Sequence, residues 1–353
     1  MNYQEFLDSL LNNVVAEGAS DLHLSEGRHP TLRIAGQLIP LAKNAVLTHA
    51  DIEGMLKLML TEKNMKQFLE KHEMDFAHDY GNKGRFRGNA FVQKGFFSIV
   101  LRLIPKNIKS LAELGIPSIL ENFARKEQGF FLIVGPVGMG KTTTLAAMIE
   151  LINQERAAHI ITIEDPIEYI YEQKKSIIDQ REVGLDTESF ASGLQSVFRQ
   201  DVNVLLVGEM RGPETMAAAV TAAETGHLVL STLHTNNAAQ TIDRIIDTFP
   251  SGQQDQIRVQ LAASLIGIFS QRLIPRISGG LVPAFELLIA NNAVSNLIRE
   301  KRTHEINTVI ETSLQEGMID LNRSLAELVR KGEISIESAY QHSANPKILE
   351  KYL

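Results

Sequence analysis

Apolar positions change their spacing twice along the chain. Near the start, Phe6, Leu7, Leu10, Leu11, Val14 and Val15 recur at the i, i+3, i+4 interval of a helix, which Gly18 ends. Two short strands are expected at 21–25 and 31–34. Ile52, Met55, Leu56, Met59, Leu60, Phe68 and Leu69 mark one or two helices between residues 50 and 69. Three β-like stretches follow at 74–80, 85–92 and 97–104, the first two parted by Gly81 and Gly84 as in a hairpin. This succession predicts a small α+β unit with its helices on one side of a sheet.

Beyond residue 111 the pattern becomes strands alternating with helices. The runs 130–134, 159–163, 202–207 and 228–232 are short and nearly all apolar, as parallel strands buried on both faces must be. Helical spacing lies between them, at 143–152 and 214–225. Such an α/β unit binds ligands at the carboxyl ends of its strands. After about Pro250 the chain reads as mostly helical, at 253–271, 292–302, 303–316 and 320–331. The polar, Pro-led segment 105–110 is expected to link a domain at 1–104 to one at 111–353.

Composition narrows the function classes. With 353 residues, 44% apolar and 22% charged, the chain has material for two globular domains. It has no cysteine, which excludes a disulfide scaffold, a cysteine nucleophile and a Cys-based zinc site. The net charge of −7 argues against direct nucleic-acid binding through the overall field. Asn2, Gln4, Glu5 and Asp8 stand where an export signal needs basic and then apolar residues, and no apolar run is long enough to span a bilayer. A cytoplasmic chain without a transmembrane segment is expected.

Gly135-Pro136-Val137-Gly138-Met139-Gly140-Lys141-Thr142 matches G-x-x-x-x-G-K-[ST] in full, between an apolar strand and a helical pattern. Glycines let the backbone N–H groups turn inward around phosphate oxygens, and the helix N-terminus favours the anion. Lys141 is expected to reach the β- and γ-phosphates, with Thr142 on Mg²⁺ and Thr143 beside it. A metal of this kind also needs an acid at a second strand end. The apolar run closing with Gly208 and Glu209 supplies one. Glu164, Asp165 and Glu168 stand past another strand end, and either Glu164 or Glu168 could orient a water. His227 precedes the 228–232 run and His234 follows it. His234, on the ligand side, is the better placed.

These boxes together resemble the ATPases of type II secretion and type IV pilus systems, and within them the PilT-like pilus retraction branch. The resemblance rests on the phosphate loop, the 163–168 acidic box, Val207-Gly208-Glu209-Met210-Arg211 and Glu224-Thr225-Gly226-His227 with His234. Gly18-Ala19-Ser20-Asp21-Leu22-His23 extends it to the front of the chain. It implies a RecA-like P-loop ATPase domain of α/β class preceded by a smaller PAS-like α+β domain, assembled as a homo-hexamer that hydrolyses ATP with Mg²⁺. It implies Glu168 as water activator, Glu209 as metal-side acid, and His227 and His234 as the histidine box. Arg85, Arg87 and Arg102 match N-terminal-domain arginines that reach the nucleotide. Implied partners are an inner-membrane pilus platform protein, at whose cytoplasmic face the ring docks, and a paralogous pilus ATPase.

The chain departs from that pattern at several positions. Val137 and Met139 replace Thr and Ser, Thr142 replaces Ser, and Gly88 stands where Val is usual. Gly212-Pro213 replaces Asp-Leu, and Val294-Ser295 replaces the Ile-Arg associated with retraction. The accessory PilU-like branch is therefore the near alternative. A nucleic-acid motor and a non-hydrolysing scaffold are the distant ones. Extension and secretion ATPases, with extra N-terminal domains and often a four-cysteine insert, fit less well.

Overall fold

The structure, a computed structural model, describes residues 2–34, 36–104 and 107–353. Pro105 and Lys106, the start of the expected linker, lie outside the described residues. Chain contacts divide it into two units: Met1–Asn107 with Glu168–Ile170, and Ile108–Ile167 with Tyr171–Leu353.

Six strands build the sheet of the first unit: β1 (Asp21–Ser25), β2 (Thr31–Ile34), β3 (Gln37–Pro40), β4 (Glu73–Asp79), β5 (Arg85–Gln93) and β6 (Phe96–Ile104). All neighbours are antiparallel in the order β3-β2-β1-β6-β5-β4. Strand residues alternate between faces, so register decides burial. The row Leu32, Leu22, Leu101, Gly88 and Phe76 runs across the sheet on the buried face. It packs under Leu7, Leu10 and Leu11 of the helix Tyr3–Ala16 and Ile52, Met55 and Leu56 of the helix His49–Met59. Phe68 of a third helix, Glu62–Lys71, completes this core. Helices thus gather on one side, as in a PAS-like unit. Gly88 has a local reason: a Cβ there would fall 2.2 Å from the Phe76 ring. The next row, on the other face, is Arg33, Asp21, Arg102, Arg87 and Ala77.

The second unit holds β7 (Gly129–Val134), β8 (His159–Glu164), β9 (Ile177–Glu182), β10 (Val204–Val207), β11 (Leu228–Leu233), β12 (Leu265–Pro275) and β13 (Leu281–Ile289). Their order is β13-β12-β7-β11-β10-β8-β9, parallel throughout except that β13 runs antiparallel to β12. The expected runs at 130–134, 159–163, 202–207 and 228–232 become four adjacent parallel strands, with β7, β10 and β11 buried at every residue. Helices Lys141–Glu155 and Pro213–Glu224 connect them. A smaller core of Ile274, Val282, Ala284, Leu325 and Leu349 sits beneath the C-terminal helices.

The expectation of a helix over 253–271 is corrected by the structure. The helix is Ser251–Ser264, and the chain turns straight into β12. Ile257, Leu261 and Leu265 carry a helical spacing across that boundary, but β12 slots between β7 and β13 and is buried on both faces. Gly267 fits this crowding, since a Cβ there would lie 2.8 Å from the Phe123 ring. The expected helix over 303–316 is a short helix, Ile306–Thr312, flanked by single 3₁₀ turns. Strands β3, β9 and β13 were not anticipated.

Candidate functional site

The phosphate loop leaves β7 at Val134 and enters the helix at Lys141. Three of its residues hold backbone conformations that favour glycine: Gly135 (φ 145), Gly138 (φ 79) and Gly140 (φ 76). Gly135 has a second constraint, because a Cβ there would lie 2.3 Å from the Gln271 carbonyl oxygen. Val137, at the tip, is 79% exposed.

Lys141 is buried at the loop's foot. Its Nζ donates to the Gly135 and Pro136 carbonyls at 2.8 and 2.9 Å. It also lies 3.2 Å from Nδ1 of His234. An ammonium only donates, so Nδ1 is the acceptor and the neutral imidazole carries its proton on Nε2. Nε2 in turn faces Glu209 at 3.7 Å. Burial, and then the Lys141 charge, lower the His234 pKa below its ordinary value, which favours that neutral form. Glu209 also pairs with Arg211, whose own pKa is raised by that hydrogen bond.

Backbone placement explains why these residues meet. Glu209 follows β10 and His234 follows β11, and both strands run parallel to β7. All three carboxyl ends therefore open on one edge of the sheet. Two buried hydroxyls fasten that edge. Ser231 Oγ donates to the Val207 carbonyl at 2.7 Å, and Thr232 Oγ1 to the Gly208 carbonyl at 2.6 Å. Thr142 is half-buried in the first turn of the loop helix. The buried Glu164, at the end of β8, accepts from Thr162 Oγ1 at 2.7 Å.

Within the same unit, His227 does not join this cluster. His227 precedes β11, with its Nδ1 2.9 Å from the Ala222 carbonyl, at the amino ends of the strands. About six residues at roughly 3.3 Å each separate it from the carboxyl edge. Glu168 is exposed and belongs to the segment Glu168–Ile170 that groups with the first unit. Arg85, Arg87 and Arg102 share one face of the first unit's sheet, since Arg87 and Arg102 are direct register partners and Arg85 lies two residues on. Arg102 Nε donates to the buried Asp21 at 2.8 Å. Ser295, in place of the usual Arg, packs inward: its Oγ donates to the Ala262 carbonyl at 2.9 Å.

Sequence reading missed Gln271 on β12. Its amide is buried and bridges the loop to its helix, donating from Nε2 to the Met139 carbonyl and accepting at Oε1 from Thr144 Oγ1, each at 2.8 Å. Nothing in a lone glutamine signals this; only placing 265–275 as a strand beside β7 would have.

A doubly wound sheet with a lysine-closed phosphate loop, a basic-acidic relay at the strand ends and a PAS-like unit ahead of it defines a RecA-like ATPase. Residues 2–279 match the family model described as Type II/IV secretion system protein, and the chain belongs to that family, in its PilT-like branch. The type IV pilus retraction ATPase PilT of Pseudomonas aeruginosa is 41% identical over 341 residues, spanning 97% of this chain and 99% of that protein. The type IV pilus ATPase PilU of the same organism is 40% identical, over 95% of this chain and 88% of its own. A crystal structure of the pilus retraction motor PilT with bound ADP superposes with a TM-score of 0.92 at 43% identity, covering 98% of this chain and 99% of that one.

Proposed function

We propose that this chain is the subunit of a homo-hexameric ring that spends ATP to retract a type IV pilus. The observation that carries the reading is the continuous relay Lys141–His234–Glu209–Arg211 at the mouth of a phosphate loop. Bound nucleotide would draw Lys141 from the loop carbonyls to its phosphates, and the relay would report that movement to Glu209. Thr142 and Glu209 offer a hydroxyl and a carboxylate, hard oxygen donors that suit Mg²⁺ completed by phosphates and water. The metal would neutralise charge developing on the phosphates. Glu168 is the proposed orienter of the attacking water. Arg85, Arg87 and Arg102 are the proposed source of positive charge for nucleotide held by a neighbouring copy.

The division at 105–110 between an N-terminal domain and the ATPase domain belongs to this reading. So does docking on a platform protein at the cytoplasmic face of the inner membrane. It accords with there being no helix among the described residues long and apolar enough to cross a membrane. A second reading, an accessory PilU-like motor, is favoured by Ser295, which is turned inward where the retraction branch usually carries Arg. Deleting the gene and counting surface pili tests both. A retraction motor's loss leaves many pili that never shorten. An accessory motor's loss leaves pili that still shorten. Unchanged pili and motility would exclude both.

A further inference from the structure

A buried side chain on β12 holds the phosphate loop from outside. Gln271 is 2% exposed, in the middle of β12. The Met139 carbonyl can only accept, so the nearer amide atom is the nitrogen, and the oxygen is left for the Thr144 hydroxyl. No other neutral side chain of this length both donates and accepts through a rigid plane. The two contacts straddle Gly140 and Lys141, the junction where the loop becomes helix. The backbone of the same residue closes on Gly135, and the Leu273 N–H reaches Met139 Sδ at 3.3 Å. A loop whose glycines make it pliable is thus seated on residues 271–273 at its entry and exit.

We propose that Gln271 is a positioning residue for ATP hydrolysis, fixing the curvature of the phosphate loop so that its N–H groups converge on the phosphates. The role follows from how such a loop binds. Backbone dipoles bind an anion only while they point at one spot, and they have no side-chain reach to correct an error. Turning the Met139 carbonyl away from the loop interior is part of that aim, because a carbonyl facing phosphate repels it. Gln271 holds this carbonyl outward. Its hydrogen bond to Thr144 fixes the amide's own angle, so the two contacts act as a unit. The strand carrying it pairs directly with β7, through Ser270 opposite Val134. Any shift of the β12–β13 hairpin would therefore move the loop without touching the nucleotide.

The inference rests on the ATPase assignment, and its test separates the two. Three variants are compared with the wild type: Gln271→Leu, which removes both hydrogen bonds at similar volume; Gln271→Glu, which keeps the acceptor but sets a carboxylate against the Met139 carbonyl; and Thr144→Val, which frees the amide. ADP affinity, ATP KM, kcat and melting temperature are measured for each. Gln271→Leu and Gln271→Glu are expected to weaken ADP binding at least tenfold and raise ATP KM, with a change of only a few degrees in melting temperature. Thr144→Val is expected to do the same at smaller size. A purely structural role would lower the melting temperature and leave the affinity of the folded protein alone. Folded Gln271→Leu protein that binds ADP within threefold of wild type overturns the proposal. If that variant does not fold, wild-type affinity in Thr144→Val overturns it. A wild-type chain that neither binds ADP nor hydrolyses ATP would instead remove the ATPase assignment.

Discussion

Lys141 and His234, ninety-three residues apart, share a hydrogen bond of 3.2 Å that forms only while the imidazole is neutral. Protonating His234 would place a second cation against the ammonium and remove its acceptor. With its pKa lowered from the ordinary 6.5, the neutral form predominates at pH 6.5 and above and is lost as pH falls through a value below 6.5. Wild-type kcat/KM should therefore show an acid limb in that range. His234→Gln keeps an acceptor for Lys141 without titrating, so the limb should vanish while part of the activity stays. An unchanged acid limb in that variant would assign it to another group. Lys141→Ala should retain less than a tenth of the ATPase rate, a loss above about 1.4 kcal/mol of barrier.

Glu209 and Glu168 should fail differently. Glu209→Gln removes a metal-side charge, so raising Mg²⁺ should recover part of its rate. Glu168→Gln should bind nucleotide as the wild type does and not turn it over at any Mg²⁺ concentration. Steady-state rates across a Mg²⁺ titration, with nucleotide affinity measured alongside, check this. Equal rescue of the two would merge their roles.

The arginine face makes a graded prediction. Arg102 is the partner of the buried Asp21, so Arg102→Ala should cost about 1 kcal/mol of stability, because that carboxylate keeps the Ser20 hydroxyl at 2.8 Å and Arg33 at 3.9 Å. Arg85→Ala and Arg87→Ala should spare stability. A true arginine finger is worth about 10³–10⁵ in rate, and at least one of these two should lose hydrolysis on that scale with ATP affinity retained. Denaturant melts and rates on the three single variants decide. Full activity in all three would discard the finger.

Glu286 predicts a pH-dependent stability. It is buried on β13, beside Asp320 and Arg272, and accepts the Ala238 N–H at 2.8 Å. Burial raises its pKa to about 7 from the ordinary 4.5. For an acid raised in the fold, the native state holds its proton more tightly than the unfolded chain. Stability should therefore fall as pH climbs from 4.5 to 7, by up to about 3 kcal/mol, and then level off. Glu286→Gln keeps the acceptor for Ala238 and should flatten this slope. Melting temperatures of both proteins from pH 4.5 to 8 measure it. Parallel curves would exclude Glu286 as the source.

What the sequence disclosed and what it hid follow a physical line. β1, β2, β7 and β11 were legible because each is bounded by turn residues and keeps one period from end to end. The phosphate loop was legible because its backbone conformations demand glycines at Gly135, Gly138 and Gly140. β12 was not, since Ile257, Leu261 and Leu265 continue a helical spacing into it. The β-branched residues, Gly267 and the closing Pro275 were the signals against helix. β3 lies at the sheet's edge with all four residues exposed, so no apolar period marks it. Gln271, Ser231 and Thr232 do their work through contacts with residues far along the chain, and residue type alone carries no trace of that.

The strand order has a consequence for how the motor comes into being. β12 lies against β7 in the sheet, yet it is made more than a hundred residues later. A nascent chain that has just emerged past His234 already contains the phosphate loop, Glu209 and the histidine. At that point one flank of β7 is still an unpaired edge, and the loop has nothing to sit on. Nucleotide affinity should therefore arrive late in synthesis, after residue 275, rather than with the motif. A cell would not have half-made chains competing for ATP.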